Sequence, residues 1–239
     1  MVVKMNIIIC GLGGIGSTLS NAISRYVDSN ESLYPSVINL VDGDNYEFKN
    51  NKRQEFHGYG NKAIIKQKEL KDNFSNIKFI AHPIFINESN ISEIIKEKSI
   101  VLVGVDNHKT RKLISDYAKN LNDIIIISGG NEITDGNVQI YIREANENVT
   151  PTLTDYHPEI ENPNDKSPDE MSCEELSNSK PQVYFTNFMV ASFMCASFFN
   201  IIEKNNYKIS EVYFDLLTMN ASSKIRVPKK QKNKKGAIL

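Results

Sequence analysis

Cysteine is scarce and badly placed for pairing: Cys10, Cys173 and Cys195 are the only three in 239 residues, and no CxxC occurs. That excludes a disulfide framework and a paired-thiolate zinc site, and it fits a reducing, cytoplasmic setting. Net charge is as sparse. Lysine and arginine number 28 against 29 acids, a formal −1, so no bulk field draws the chain to nucleic acid or to an anionic membrane. A G-x-x-x-x-G-K-[ST] run is missing, which excludes a P-loop. No internal repeat is visible, and the stretch before the first glycine turn is too short for a secretory signal. What remains, 40% hydrophobic and 24% charged, is the composition of a globular chain long enough to bury a large core.

Apolar runs alternate with helical patterns through the first 130 residues. Strands are expected over 6–10, 36–42, 77–85, 99–106 and 123–130, and helices over 17–27, 63–73, 91–96 and 109–121. The strand at 123–130 carries β-branched residues on both faces, as a buried parallel sheet requires. The predicted fold is therefore α/β: a Rossmann-like, doubly wound, mainly parallel sheet. Further on, 137–144 alternates like a strand with one wet face. A hairpin from "EVYFDLL" and "SKIRV" would add antiparallel strands at the C-terminal side.

Two segments stand apart. Residues 146–180 form a long polar loop with Pro151, Pro158, Pro163 and Pro168. Between Asp155 and Glu175 it has eight acids and one base, Lys166. It reads either as a solvated segment or as a guide for a basic partner tail. The stretch "VYFTNFMVASFMCASFFNII", 183–202, is uncharged and long enough to span a bilayer. Thr186, Asn187, Ser192, Ser197 and Asn200 within it, with Pro181 before it, favour a buried core or dimer-interface helix. Residues 1–228 read as one domain, followed by a basic, unfolded tail at 229–239.

The chemistry starts at "NIIICGLGGIGSTLSNAI", where Gly11, Gly13 and Gly16 make a GxGxxG turn between a strand and a helix. Such a turn lets backbone amides approach a phosphate at a helix N-terminus, and it serves NAD, FAD or ATP alike. Asp42, ending the second strand, sits where a Rossmann fold binds ribose hydroxyls. Close behind follow Asp44, Asn50, Arg53 and Gln54. Arg53 is suited to neutralise a phosphate chain, although solvated loop residues would look the same. A second strand ends in "VLVGVDNHKTR", with Asp106, Asn107 and Arg111. Asp106 would face the same crevice as Asp42, either holding Mg2+ beside substrate phosphates or capping the helix at Lys109.

Taken together, GxGGxG, "DGD" followed by NxxRQ, a lysine, "VDN" with its arginine, and "SGG" with "GNVQIYI" resemble the ThiF/MoeB/HesA family over about 6–227. These are adenylating domains akin to ubiquitin-activating enzymes. The acidic loop and "SCEEL" with "FTNFMVASF" further resemble ThiF-like members of bacterial PRTRC gene systems. The resemblance implies that Gly11, Gly13, Gly14 and Gly16 line the ATP phosphates and that Asp42 holds the ribose. Asp44, Gln54 and Asn107 join that nucleotide site. Asn50, Arg53 and a lysine contact the phosphates, and Asp106 binds Mg2+. Lys62 fits the family's G-x-x-K-A context, whereas an ungapped count from Arg53 lands on Lys66; Lys62 is preferred. No zinc is expected.

The implied reaction suits the residues present. A protein C-terminal carboxylate, with a pKa near ~3.5, is already a nucleophile at neutral pH. His57, His82, His108 and His157 therefore need no catalytic part. Arg53, Lys62 and Mg2+ would offset charge on departing pyrophosphate. Cys173, in "DEMSCEEL", would receive the activated acyl group as a thioester, or else is a surface thiol whose acidic neighbours suppress its thiolate. The expectation is a homodimeric adenylyltransferase acting on a ubiquitin-like or sulfur-carrier protein. Nothing in the sequence matches the N-terminal arginine helix of some members, which leaves open a non-catalytic module that binds a ubiquitin-like protein or completes a heterodimer. An NAD-dependent oxidoreductase would explain Gly11–Gly16 and Asp42 but neither Arg53 nor Asp106.

Overall fold

A computed structural model describes residues 5–52, 54, 56–165 and 183–229. Parallel strands β1 (Met5–Cys10), β2 (Ser36–Val41), β5 (Ile77–His82), β6 (Ser99–Val103) and β7 (Ile124–Asn131) form one half of a mixed sheet. Antiparallel strands β8 (Asp135–Glu144), β10 (Glu211–Asp215) and β11 (Asn220–Lys224) form the other. The order is β11-β10-β8-β7-β6-β1-β2-β5, with the short β9 (Glu147–Asn148) paired to β8. A separate two-stranded ribbon joins β3 (Asn45–Tyr46) to β4 (Gly60–Asn61). The expected Rossmann-like sheet with antiparallel C-terminal strands is what forms.

Alternation along β1 explains the two layers. Ile7 and Ile9 join a core with Ile38, Leu40, Leu102 and Ile127, packed under α1 (Gly14–Asp28), α2 (Lys62–Asn73) and α6 (Tyr184–Lys204). Ile8 and Cys10 join Val101, Val103, Ile126 and Tyr141 on the opposite face, beneath α3 (Ile91–Ile94), α4 (His108–Ala118) and Leu153. Burial on both faces, rather than β-propensity alone, is what demands the isoleucine-rich runs.

The chain moves outward from β1 to β2 and β5, then returns to β6 on the other side of β1. That reversal is a topological switch point, and the crevice outside the carboxyl ends of β1 and β6 is the expected ligand site.

Several predicted bounds shift. Strands β2, β5 and β6 stop at Val41, His82 and Val103, short of the predicted 42, 85 and 106, because the chain peels away into the crevice loops. Helix α1 begins at Gly14 rather than 17, with Gly13 as its N-cap. The second hairpin strand lies at Asn220–Lys224, earlier than "SKIRV". The predicted loop at 146–180 contains β9 and a short helix, α5 (Pro158–Glu161), whose first residue is a proline. The rest of that loop beyond Asp165, and the tail from 230, lie outside the described residues.

Helix α6 has the length and mean hydropathy, 1.5, to cross a membrane. In this fold one stripe of it, including Val190, Ala191, Met194, Phe198 and Ile201, is buried in the core.

Candidate active site

Glycine is required in the turn after β1 for steric reasons. Gly11 has φ +84°, and a Cβ there would lie 2.9 Å from the Val105 nitrogen. At Gly16 a Cβ would lie 1.8 Å from the Gly11 carbonyl oxygen. The turn is thereby folded onto the end of β6, while a Cβ on Gly13 would meet nothing nearer than Gln54 at 3.9 Å. The N-cap, Gly13, has no side chain to occupy the first amides of α1, and the first turn holds no acid, so these amides are available to an anion.

Asp42 fastens this turn to β2. Its Oδ2 accepts the Leu12 amide at 2.6 Å, and its Oδ1 accepts the Asp44 amide at 2.8 Å. Burial pushes the carboxyl pKa up, and the nearby Lys62 cation pulls it down by less. Asn61 then sets the lysine. Its Nδ2 donates to the carbonyls of Asp42 and Asp44 at 3.0 and 3.1 Å, and its Oδ1 caps α2 through Ala63 and Ile64. Lys62, first in that helix, consequently sits inside the site with its Nζ 3.1 Å from Asp44 Oδ2. Sequence reasoning passed over Asn61, although an Asn directly before a helical pattern is a recognisable N-cap signal.

Lys66 has a different setting. It is 1% exposed, its Nζ lies 2.6 Å from Glu69 Oε2, and it stands over the Phe56 ring at 4.5 Å. Both lysines are buried, but Lys62 pairs with the acid that follows β2 and Lys66 with an acid of its own helix. Asn50 is buried as a turn cap, its Oδ1 accepting the Glu47 amide at 2.9 Å. Gln54, also buried, lies against Gly13, and its Oε1 has no hydrogen-bond partner among the described residues. Arg53 lies outside the described residues, as does Cys173.

At the end of β6 the alternatives for Asp106 separate. The cap of α4 is Asn107, whose Oδ1 accepts the Thr110 amide at 2.8 Å, so Asp106 is not the capping residue. Asp106 is exposed beside it. Arg111, one turn into α4, is buried and donates to the Val105 and Gly129 carbonyls at 2.6 and 2.7 Å and to Ser128 Oγ at 2.8 Å. Burial lowers its pKa to about 10, against the opposing pull of Asp106 and Asp165. It remains a cation that ties the ends of β6 and β7 together. Asp165, from the acidic segment, accepts the His108 amide at the start of α4. Among the described residues no three acids, histidines or cysteines cluster as a metal site. Asp106 alone would hold Mg2+ only together with phosphates, as that ion ordinarily binds.

A glycine cradle, an acid at the end of β2 and a second acid after β6, all at the switch point, define a Rossmann-type nucleotide-site α/β protein. The family model for the ThiF family matches residues 2–236, and the chain belongs to that family. It is similar to the adenylyltransferase and sulfurtransferase UBA4 of Candida glabrata, 28% identical over 193 residues, covering 79% of this chain and 41% of that protein. The adenylyltransferase and sulfurtransferase MOCS3-2 of Zea mays is 29% identical over 145 residues, 58% of this chain and 28% of the relative. The chain thus spans well under half the length of these curated relatives. Among solved structures, Escherichia coli MccB with ATP superposes with a TM-score of 0.72 at 18% identity, over 96% of this chain and 65% of MccB. PaaA gives 0.68 at 15% identity, over 94% and 64%. These two likenesses show the fold.

Proposed function

We propose that this chain adenylates the C-terminal carboxylate of a ubiquitin-like or sulfur-carrier protein, using ATP and Mg2+. The observation that carries the reading is Lys62 held against Asp44 beside a glycine turn that Asp42 locks in place. A positive charge is thereby stored where a triphosphate would lie, on a helix start that Asn61 fixes. Family membership and the names of the relatives, two of them adenylyltransferases, support the same reading.

In the reaction, an oxygen of the substrate carboxylate forms a bond to the α-phosphorus while the bond from that phosphorus to the bridging oxygen breaks. Pyrophosphate leaves with the electron pair. The attacking group is already ionised, so the chain need only align it and offset charge on the leaving group. Lys62 and Arg53 take that second role. Gly13 and Gly14 amides hold the phosphates, and Asp42, while keeping the Leu12 amide, orients the ribose. Asp106, together with the phosphates, would hold Mg2+, which would supply further neutralisation. A thioester would follow, the Cys173 sulfur bonding to the acyl carbon as that carbon's bond to the phosphate oxygen breaks, AMP leaving with that electron pair and the thiol proton passing to water; a Cys173→Ala variant that still forms a reducible adduct with its partner rules that step out.

Calorimetry with Mg·ATP and, separately, NAD tests the nucleotide. Magnesium-dependent ATP binding that weakens in Asp106→Ala is expected; NAD binding without ATP binding overturns the reading. One observation favours a second reading, a non-catalytic binding module: Asp106 stands exposed, and no group of three metal-ligating side chains occurs among the described residues. ATP binding with no pyrophosphate exchange in the presence of a carrier protein would decide for that module.

A further inference from the structure

The first turn of α6 meets the first turn of α1 at a point where the sequence is unusual for a core. Asn187 is fully buried there. A Cβ on Gly14 would lie 2.2 Å from its Nδ2, 2.7 Å from its Cγ and 3.2 Å from its Oδ1. The carboxamide therefore fills the space that a side chain at position 14 would occupy, pressed against the first residue of the helix whose first amides are available to an anion.

Other buried polar groups of α6 are satisfied locally. Thr186 Oγ1 donates to the Ile133 carbonyl at 2.6 Å, and Ser197 Oγ donates to the Phe193 carbonyl at 2.8 Å. Asn187 alone differs: neither Oδ1 nor Nδ2 has a hydrogen-bond partner among the described residues. A carboxamide without partners in an apolar layer costs free energy that a leucine of similar size would not. Gln54 repeats the pattern one residue earlier in the turn, its side chain against Gly13 and its Oε1 without a partner. Of the two carboxamides against consecutive glycines of this turn, Asn187 carries the unsatisfied donor, its Nδ2, which a phosphate oxygen accepts, whereas the unpartnered Gln54 Oε1 is an acceptor.

We infer that Asn187 is a further nucleotide-site residue, its Nδ2 donating to the polyphosphate held on the glycine turn. The inference rests on the proposal that ATP binds there. It also gives α6 a direct link to nucleotide occupancy, since the residue that reads the phosphate stands on the helix that packs along α1. The absence of a Cβ at Gly14 acquires a second purpose beyond close backbone approach: it makes room for this donor.

The test is Mg·ATP and adenosine titration of the full chain and of Asn187→Leu and Asn187→Ala, with thermal melting alongside. Losing one hydrogen bond to a charged group should weaken Mg·ATP binding about tenfold to a hundredfold while leaving adenosine binding unchanged. The leucine variant should melt no lower than the parent. Equal Mg·ATP affinity in parent and leucine variant overturns the inference while leaving the ATP site standing. Should the leucine not fit, the smaller alanine decides in the same way. A parent chain that binds no Mg·ATP removes the underlying reading and this inference with it.

Discussion

Single residues divide into those that hold the site together and those that face a ligand, and two lysines one helical turn apart illustrate the division. Lys66 is enclosed by Phe56 and Glu69, so Lys66→Ala strands a mostly buried carboxylate. Breaking such a pair costs about 3 kcal/mol, which for a chain of this size lowers the melting midpoint by roughly 5–10 °C. Lys62→Ala leaves Asp44, whose side chain is 41% exposed, to water, and so costs little stability. It should instead abolish most Mg·ATP affinity and raise the Asp42 pKa further by removing its nearest cation. Thermal melts and ATP titrations of both variants check this. A Lys66→Ala chain that melts normally and loses ATP would reverse the assignment. Gly16→Ala allows no such separation, because its Cβ would overlap the Gly11 carbonyl. It should disorder the turn and lose nucleotide binding together with stability.

Secondary elements were legible where local chemistry decides them and illegible where distant partners do. The β1–α1 turn, the buried β7 run and the antiparallel β8 follow from glycine spacing and from one-sided or two-sided apolar patterning. The preference for Lys62 came from its G-x-x-K-A context, but its pairing with Asp44 depends on Asn61 bridging back to β2, which no periodicity reveals. The same holds for the segment after β9. His157 Nδ1 meets Glu159 Oε1 at 2.7 Å and its Nε2 meets Glu211 Oε1 at 3.1 Å, while Arg226 Nε donates to Glu211 Oε2 at 2.6 Å and Tyr213 OH to the same oxygen at 3.0 Å. This cluster latches the acidic segment to the hairpin across 54 positions of sequence, too far for pattern reading.

The latch makes stability depend on pH at the level of these elements. Burial pushes the His157 pKa down, but the hydrogen bonds its ring donates to Glu211 and Glu159 outweigh it and leave it above the ordinary 6.5. Burial likewise pushes Glu211 up, and His157, Arg226 and Tyr213 bring it down to about 2. A raised histidine stabilises fully below 6.5 and loses that contribution as pH rises through its folded value. A lowered glutamate stabilises above its ordinary 4.5 and loses that contribution as pH falls towards about 2. The latch should therefore be strongest between about 4.5 and 6.5. The melting midpoint should fall by a few degrees between pH 6 and pH 8.5 in the parent chain, and by less in His157→Gln. Parallel pH profiles for the two chains would remove His157 from this role.

At the scale of the whole molecule, the sheet accounts for one stripe of α6 and leaves the other outward. Phe185, Phe188, Ser192, Ala196 and Phe199 recur at spacings of three and four, all exposed and none charged. Tyr184 and Phe188 stack with ring centroids 6.4 Å apart, extending the apolar end of that stripe. Large aromatics flanking small central residues form a seam into which a second helix can pack closely. The expected homodimer would use this face, with α6 against α6 across a two-fold axis, so each residue of the stripe counts twice. Light scattering should give a dimer mass for the parent chain. Phe185→Ser with Phe188→Ser should give a monomer that still melts cooperatively, since neither ring belongs to the buried stripe. The nucleotide site should then bind Mg·ATP unchanged in the monomer, because Asn187 and Gly14 meet on the opposite side of the helix. Dimer mass persisting in the double variant would move the interface elsewhere, and a monomeric parent would remove the homodimer altogether.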